Sequence, residues 1–139
     1  TGATIQLGGL GAANKLDDYE EGTFTPTYTV AGGGSAGTVT GTNTGIYTKV
    51  GRMVAVAVQS HYVPTSGTLP TYYKMALPFA VGLIGGHAGN GSGQEVAQTG
   101  KNMFISVDNN ATVALIKAPT GSAPPANAYF SFSFTYQVA

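Results

Sequence analysis

The 139-residue chain contains no cysteine and very little charge, and both shortages restrict what it can do. Without cysteine it can form neither disulfide bonds nor a thiolate metal site. Asp, Glu, Lys and Arg make up only 9% of the residues, against about a quarter in typical domains. The six basic and six acidic residues cancel, so the chain lacks the basic surplus that binding to phosphates requires. We therefore expect no nucleic-acid partner.

Long apolar runs are missing as well. No uninterrupted apolar segment approaches the roughly 18 residues of a membrane-spanning helix, so we expect no insertion into a membrane. Glycine is plentiful instead, with 21 residues, at about twice its average usage. A glycine-rich surface with little charge is what we expect of an extracellular or virion β-protein.

The apolar residues that are present follow the two-residue period of β-strands. The clearest internal segment is the uncharged run from Met53 to Val58. Its three valines would point to one face, and Met53, Ala55 and Ala57 to the other. We expect a central strand that is covered on both faces, with its alanine side against a second copy of the chain.

The last strand, residues 128–138, has the strongest alternation in the sequence. One face carries five apolar side chains: Phe130, Phe132, Phe134, Tyr136 and Val138. This face is predicted to form the core together with the valines of the 53–58 segment. With about eight strands spaced roughly ten residues apart and no helical period, the sequence predicts an all-β antiparallel sandwich or jelly roll. Residues 14–139 would form this domain, and residues 1–13 a linker from an upstream domain.

Several segments are predicted with more detail. Residues 23–30 read as one half-buried strand at an edge or with a bulge, because Pro26 cannot donate to a ladder. Residues 47–62 read as one strand with a possible bulge at Gly51 and Arg52, and residues 79–86 as another buried strand. Residues 87–93 read as a flexible loop. The G-x-G-x-x-G match at residues 32–37 precedes a strand or loop instead of a helix, so no dinucleotide and no other cofactor is expected.

Two segments resemble a known family. Residues 16–26 (LDDYEEGTFTP) and residues 45–54 (GIYTKVGRMV) are similar to segments near the C-terminal end of bacteriophage tail fibres and tailspikes. The resemblance covers roughly residues 8–58. It implies a non-catalytic tip domain of a homotrimer on the virion tail, in an extracellular setting. Such a domain would bind a bacterial surface polysaccharide and hold the trimer together. Alternatively it would be a purely structural trimer cap, with recognition or depolymerisation carried by an upstream domain.

Four of the six acids cluster near the first strand, at Asp17, Asp18, Glu20 and Glu21. They favour a solvated acidic turn, held down by Leu16 and Tyr19 pointing inward. A metal site and a general acid/base pair are the alternatives. The calcium-loop pattern is absent, and a carbohydrate-active enzyme is disfavoured because its acids would approach from two strands. The two histidines lack zinc-site spacing. We expect no metal and no catalytic residues.

Uncharged aromatic and amide side chains flank two predicted loops. Neutral sugars are commonly held by an aromatic face and by amide or hydroxyl groups, and loops on a rigid β scaffold are a usual place for them. The first group flanks residues 64–70, and the second lies in or beside residues 87–93. Adjacent residues 72 and 73 face opposite ways on a strand, so at most one of them would contribute. The candidate ligand-binding residues are Tyr62, Tyr72, Tyr73, His87, Asn90 and Gln94.

Overall fold

The computed structural model describes residues 5–6, 15–16, 18–31, 44–63, 71–82, 86–96, 99–109, 111–119 and 128–138. Within these residues all regular structure is β, and no helix is present that is long and apolar enough to cross a membrane. The eleven strands are β1 (Ile5–Gln6), β2 (Lys15–Leu16), β3 (Tyr19–Phe24), β4 (Tyr28–Ala31), β5 (Gly45–Val50), β6 (Met53–Val63), β7 (Tyr72–Ala76), β8 (His87–Glu95), β9 (Asn102–Asp108), β10 (Val113–Lys117) and β11 (Ala128–Gln137).

Nine of the strands form one antiparallel sheet, in the order β3-β5-β6-β11-β8-β9-β10-β7-β4, while β1 and β2 pair separately. The prediction of an all-β antiparallel fold is confirmed. The finer prediction of a sandwich or jelly roll is not confirmed, because the nine strands are joined in one continuous hydrogen-bonded sheet that curls like a half-barrel.

The curl follows from how the two edge strands are connected. The edges β3 and β4 are consecutive in sequence and separated only by residues 25–27. That connection spans at most about 14 Å, whereas nine strands laid flat would place their edges about 38 Å apart. Strand directions alternate across the sheet, so its first and ninth strands run the same way. Residues 23–30, predicted as a single strand, are therefore divided between the end of β3 and the start of β4. The chain bends between these strands at the buried Pro26, so this one segment contributes to both edges of the sheet.

The core lies on the inner face of the curled sheet. Val54, Val56 and Val58 are buried there, and the exposed side chains of Met53 and Ala55 lie on the outer face, as the alternation predicts. Strand β11 pairs directly with β6, in the register Phe132↔Val58, Phe134↔Val56 and Tyr136↔Val54. The two predicted core faces thus meet side by side within one sheet.

Two predicted strands have different limits in the structure. Residues 47–62 are divided between β5 and β6, which pair as a hairpin through Gly51 and Arg52. Gly51 has φ +57°, the left-handed conformation that glycine adopts without a steric penalty. The predicted buried strand at residues 79–86 is wrong for its described residues, where only Val81 makes an isolated bridge, to Val138.

The largest correction concerns the segment predicted as a flexible loop. Residues 87–93 belong to β8, the fifth of the nine strands and so the middle of the sheet. Its glycines face inward, directly opposite the aromatic residues of β11, in the pairs Gly89↔Tyr136, Gly91↔Phe134 and Gly93↔Phe132. A Cβ atom at each of these glycines would come within 3 Å of β11 backbone atoms. Glycine is needed here because the β11 chain and its stacked rings already fill the space.

Candidate functional site

The acidic segment is a strand in the structure, and the prediction of a solvated turn is corrected. Lys49 donates to Asp18, and the hydroxyl of Tyr47 donates to Glu20. Residues 18–24 are held alongside β5 by the strand pairing and by the Gly51 N–H, which donates to the Asp18 carbonyl at 2.8 Å. Asp17 lies outside the described residues. Within the described residues no three His, Cys, Asp or Glu side chains are grouped as metal ligands would be.

Tyr19 does not point inward as predicted. Its side chain is 54% exposed on the outer face, and its hydroxyl donates to Glu21 at 2.8 Å. That hydrogen bond raises the pKa of Tyr19, and the negative charge of Glu21 adds to the effect. The pKa of Tyr47 is raised in the same way, first by its hydrogen bond to Glu20. The carboxylates thus act as acceptors for neighbouring tyrosines.

The tyrosines predicted to bind a ligand lie in different environments in the structure. Tyr73 is 0% exposed and packs edge-on against Phe130, with ring centres 5.3 Å apart, so it belongs to the core and cannot reach a ligand in solvent. Tyr72 is half-buried on the opposite, outer face of β7. The side chain of Tyr62 and the loop at residues 64–70 lie outside the described residues. Of the two adjacent tyrosines, only Tyr72 is available to a surface site.

The other three candidates lie along β8, on a strand where the sequence predicted a loop. His87 is at its start, with Nδ1 3.1 Å from the Asp108 carboxylate. Asn90 is exposed in the middle of the outer face, and Gln94 is exposed near the end. Four residues of strand separate Asn90 from Gln94, about 13 Å. These side chains therefore do not converge on one point, and a single compact site cannot contain all three.

One of them, Gln94, lines a pocket of about 450 Å³ on the outer face of the sheet. We call this the outer-face pocket. It crosses three adjacent strands, because Gln94 on β8 pairs with Ser131 on β11 and with Asn102 on β9. None of its lining residues carries a charge. They are Ser92, Gly93, Gln94, Val96, Asn102, Met103, Phe104 and Ser131.

Phe104 is the distinctive member of this lining, because its side chain is 56% exposed. Beside it are hydroxyl and amide groups: its cross-strand neighbour is Ser92, and Asn102 lies two residues away on the same face. An exposed aromatic ring next to uncharged donors and acceptors can hold a ring-shaped ligand with one apolar face and a hydroxylated edge.

The turn beside the pocket is fixed by a buried carboxylate. Glu95 is fully buried and accepts hydrogen bonds from the Thr99 amide at 2.6 Å and from the Tyr129 amide at 3.3 Å. Gln94 Nε2 donates to the Gly100 carbonyl at 2.8 Å, which ties the same turn to the end of β8. The wall of the pocket is therefore built from a braced turn and three strands.

Sequence reasoning missed most of this lining. A signal was present in β9, where Met103, Ile105 and Val107 alternate with Asn102, Phe104 and Ser106. Phe104 thus falls on the polar face of an amphipathic strand, where an aromatic ring has no core to enter. Strand pairing between segments that are distant in the sequence brings Phe104 into the same pocket as Ser92, Gln94 and Ser131.

A second exposed surface lies near the β3 edge. Tyr19, Val50 and Met53 are in register across β3, β5 and β6, and all three are exposed. Ile46 is exposed on the same face of β5. We call these four side chains the apolar patch. It lies on the opposite side of the outer face from Phe104, so the pocket and the patch are separate surfaces.

The fold and these surfaces define an all-β domain with an open, uncharged pocket on the outer face of a curled nine-stranded sheet. No protein-family model matches the chain, and neither the curated proteins nor the solved structures contain a significant match to it.

Proposed function

We propose that the chain is the non-catalytic tip domain of a phage tail fibre or tailspike, which binds a polysaccharide on the bacterial surface as a homotrimer. Its location would be the virion tail, outside the host cell. The observation that carries this proposal is the outer-face pocket, with exposed Phe104 among uncharged hydroxyl and amide groups. The two sequence segments at residues 16–26 and 45–54 supply the phage assignment by resemblance.

A sugar suits this pocket for physical reasons. A pyranose ring presents an apolar face of C–H groups that packs on an aromatic ring, and its hydroxyls pair with amides and side-chain hydroxyls. The pocket is open and shallow, so one site would bind weakly. Display of three copies would raise the overall affinity through effective concentration.

The hydrogen bonds and the positions of the acidic residues favour binding over catalysis. Asp18, Glu20 and Glu21 each accept a hydrogen bond from a Lys or Tyr side chain, and they lie on β3 or directly before it, away from the pocket. A glycoside hydrolase would need two carboxyl groups facing each other across a substrate.

The test replaces Phe104 by Ala and measures binding to an array of bacterial surface polysaccharides. Thr29→Ala is the control, because Thr29 is exposed on β4 and belongs to neither the pocket nor the apolar patch. We expect Phe104→Ala to weaken binding by about tenfold or more, about 1.4 kcal/mol, and Thr29→Ala to leave it within about twofold. Equal binding by the Phe104 variant and the parent would contradict the assignment of this pocket.

The purely structural trimer cap is the second candidate function, and the apolar patch favours it. Four exposed large side chains, with the uncharged Thr48 and Ala55 between them, form an apolar surface of the kind found at the centre of subunit interfaces, and the exposed Glu21, opposite Thr48 on the edge strand, lies at its rim. A cap would keep the trimer together without binding any polysaccharide on the array.

The homotrimer is tested by light scattering at micromolar concentration. We expect a trimer for the parent and dissociation for Val50→Glu, because the substitution places a charge in the middle of the apolar patch. Thr29→Glu, at an exposed position on β4, is the control and should remain trimeric. A monomeric parent would contradict both the trimer and the cap.

A further inference from the structure

We propose that the ligand of the outer-face pocket is an acidic saccharide, whose carboxylate is bound by Lys117 while a neighbouring sugar ring packs on Phe104. This inference rests on the proposed function and specifies its ligand. The sequence predicted a neutral sugar instead. That prediction did not include the residues that strand pairing brings beside the pocket.

A row of side chains extends the pocket across the outer face. Phe104 on β9 pairs with Ser92 on β8 and with Lys117 on β10, and Lys117 pairs in turn with Tyr72 on β7. Side chains paired in this way lie about 5 Å apart at Cβ. The row of four is therefore about 14 Å long, longer than a single pyranose ring. A ligand that occupies the pocket and continues along the row meets Lys117 next.

Lys117 is held in a defined position. Its ammonium lies 5.7 Å from the centre of the Tyr72 ring, a cation–π arrangement that restricts an otherwise flexible side chain. Lys117 is exposed to solvent. The ion pairs Lys49–Asp18 and His87–Asp108 do not involve Lys117. Its charge is thus free to meet an anion from outside.

Two further cations lie near the row. Lys74 lies on β7 opposite Leu115, diagonal to Lys117, and Lys101 follows Gly100 at the pocket turn. The described acids on the pocket's own strands are Asp108 on β9, which is 3.1 Å from His87, and Glu95 on β8, whose buried carboxylate accepts hydrogen bonds from the turn. Lys117 and Lys74 therefore form a local positive pair at the β7 end of the row, which attracts anionic ligands and disfavours a cationic one.

The chemistry of the row indicates a carboxylate. A lysine ammonium is a compact point charge with three donors, and one such charge is balanced by one carboxylate. The pocket itself is uncharged, so the unit on Phe104 is a neutral sugar or the uncharged ring face of an acidic one. Together these features fit a polysaccharide that contains a uronic acid or another carboxylated sugar.

The test uses bacterial polysaccharides on an array, each present in its native form and in a carboxyl-reduced form in which the acid has become an alcohol. We expect binding to native acidic members and at least a fivefold loss on reduction. Lys117→Gln should weaken binding to the native acidic members to the same extent and leave any residual binding to the reduced forms unchanged. Lys74→Gln removes a positive charge diagonal to Lys117 without removing a member of the row, and should weaken binding by clearly less than Lys117→Gln does.

The outcomes separate this inference from the proposed function. Binding to neutral members as tight as to native acidic ones, or a loss of less than fivefold on carboxyl reduction, would overturn the acidic ligand and leave polysaccharide binding standing. Lys117→Gln with unchanged affinity for the native acidic members would overturn the role of Lys117. No binding to any member, with Phe104→Ala indistinguishable from the parent in adsorption to host cells, would overturn both proposals.

Discussion

The substitution Gly91→Ala tests the position of β8 in the middle of the sheet. Gly91 lies opposite Phe134, and a Cβ at this site would come within 3 Å of the Ser133 carbonyl oxygen and of Phe134 Cα. Both are backbone atoms, so β11 or β8 must shift to make room. Forcing an extra methyl group into a packed core costs about 1–3 kcal/mol, and more where backbone has to move.

Whether Gly91→Ala destabilises or stabilises the protein distinguishes a packed strand at this position from a flexible loop. In a loop, Gly→Ala would stabilise the protein by about 0.4–1 kcal/mol, because it reduces the conformational entropy of the unfolded chain. Because backbone has to move, the steric cost in β8 is at the upper end of the range of about 1–3 kcal/mol, and the gain leaves a net destabilisation of about 2 kcal/mol. For a chain of this length such a loss lowers Tm by about 7 °C.

The assay is thermal or urea unfolding at one fixed protein concentration, since self-association would shift the apparent stability. Asn90→Ala is the matched control: Asn90 is next in sequence but exposed on the outer face, so we expect a change within about 0.5 kcal/mol. A Gly91→Ala variant that is as stable as the parent, or more stable, would refute the packing of glycines against the β11 rings.

Two further predictions concern the inner face. Phe132→Ala should lower the free energy of unfolding by about 3–5 kcal/mol in denaturant melts, because Phe132 is buried between Val58 and Gly93. A loss below about 1 kcal/mol would contradict its place in the core. Burial raises the pKa of Tyr136 to about 12, against a partly opposing hydrogen bond with the Phe79 backbone. Since the folded state favours the neutral phenol, this group stabilises the fold below pH 10 and loses that contribution as the pH rises towards 12. Ultraviolet titration should show Tyr136→Phe removing a late-ionising phenol, and an unchanged curve would contradict the pKa shift.

Alternation was enough to predict the strands whose two faces differ. In β11 and β6, buried and exposed side chains alternate as the sequence indicates, because a strand with one face in a core must place its apolar residues at every second position. The same rule assigned Tyr72 and Tyr73 to opposite faces. For the candidate site, Gln94 was proposed as an amide beside a predicted loop, and it lines the outer-face pocket; Phe104 was not proposed, because it was treated as part of an ordinary strand.

The sequence by itself determined the all-β class, the alternation of the long strands and the scarcity of charge on the surface, since each depends on composition or on neighbours two residues apart. Only the tertiary structure decided that residues 87–93 form the middle strand and that Pro26 joins the two edges. Glycine carries no local signal for a strand, and Gly89, Gly91 and Gly93 are favoured in β8 only because aromatic residues about 40 positions later lie opposite them. The row from Ser92 to Tyr72 has the same origin, because its members come from four segments that become neighbours only through long-range strand pairing.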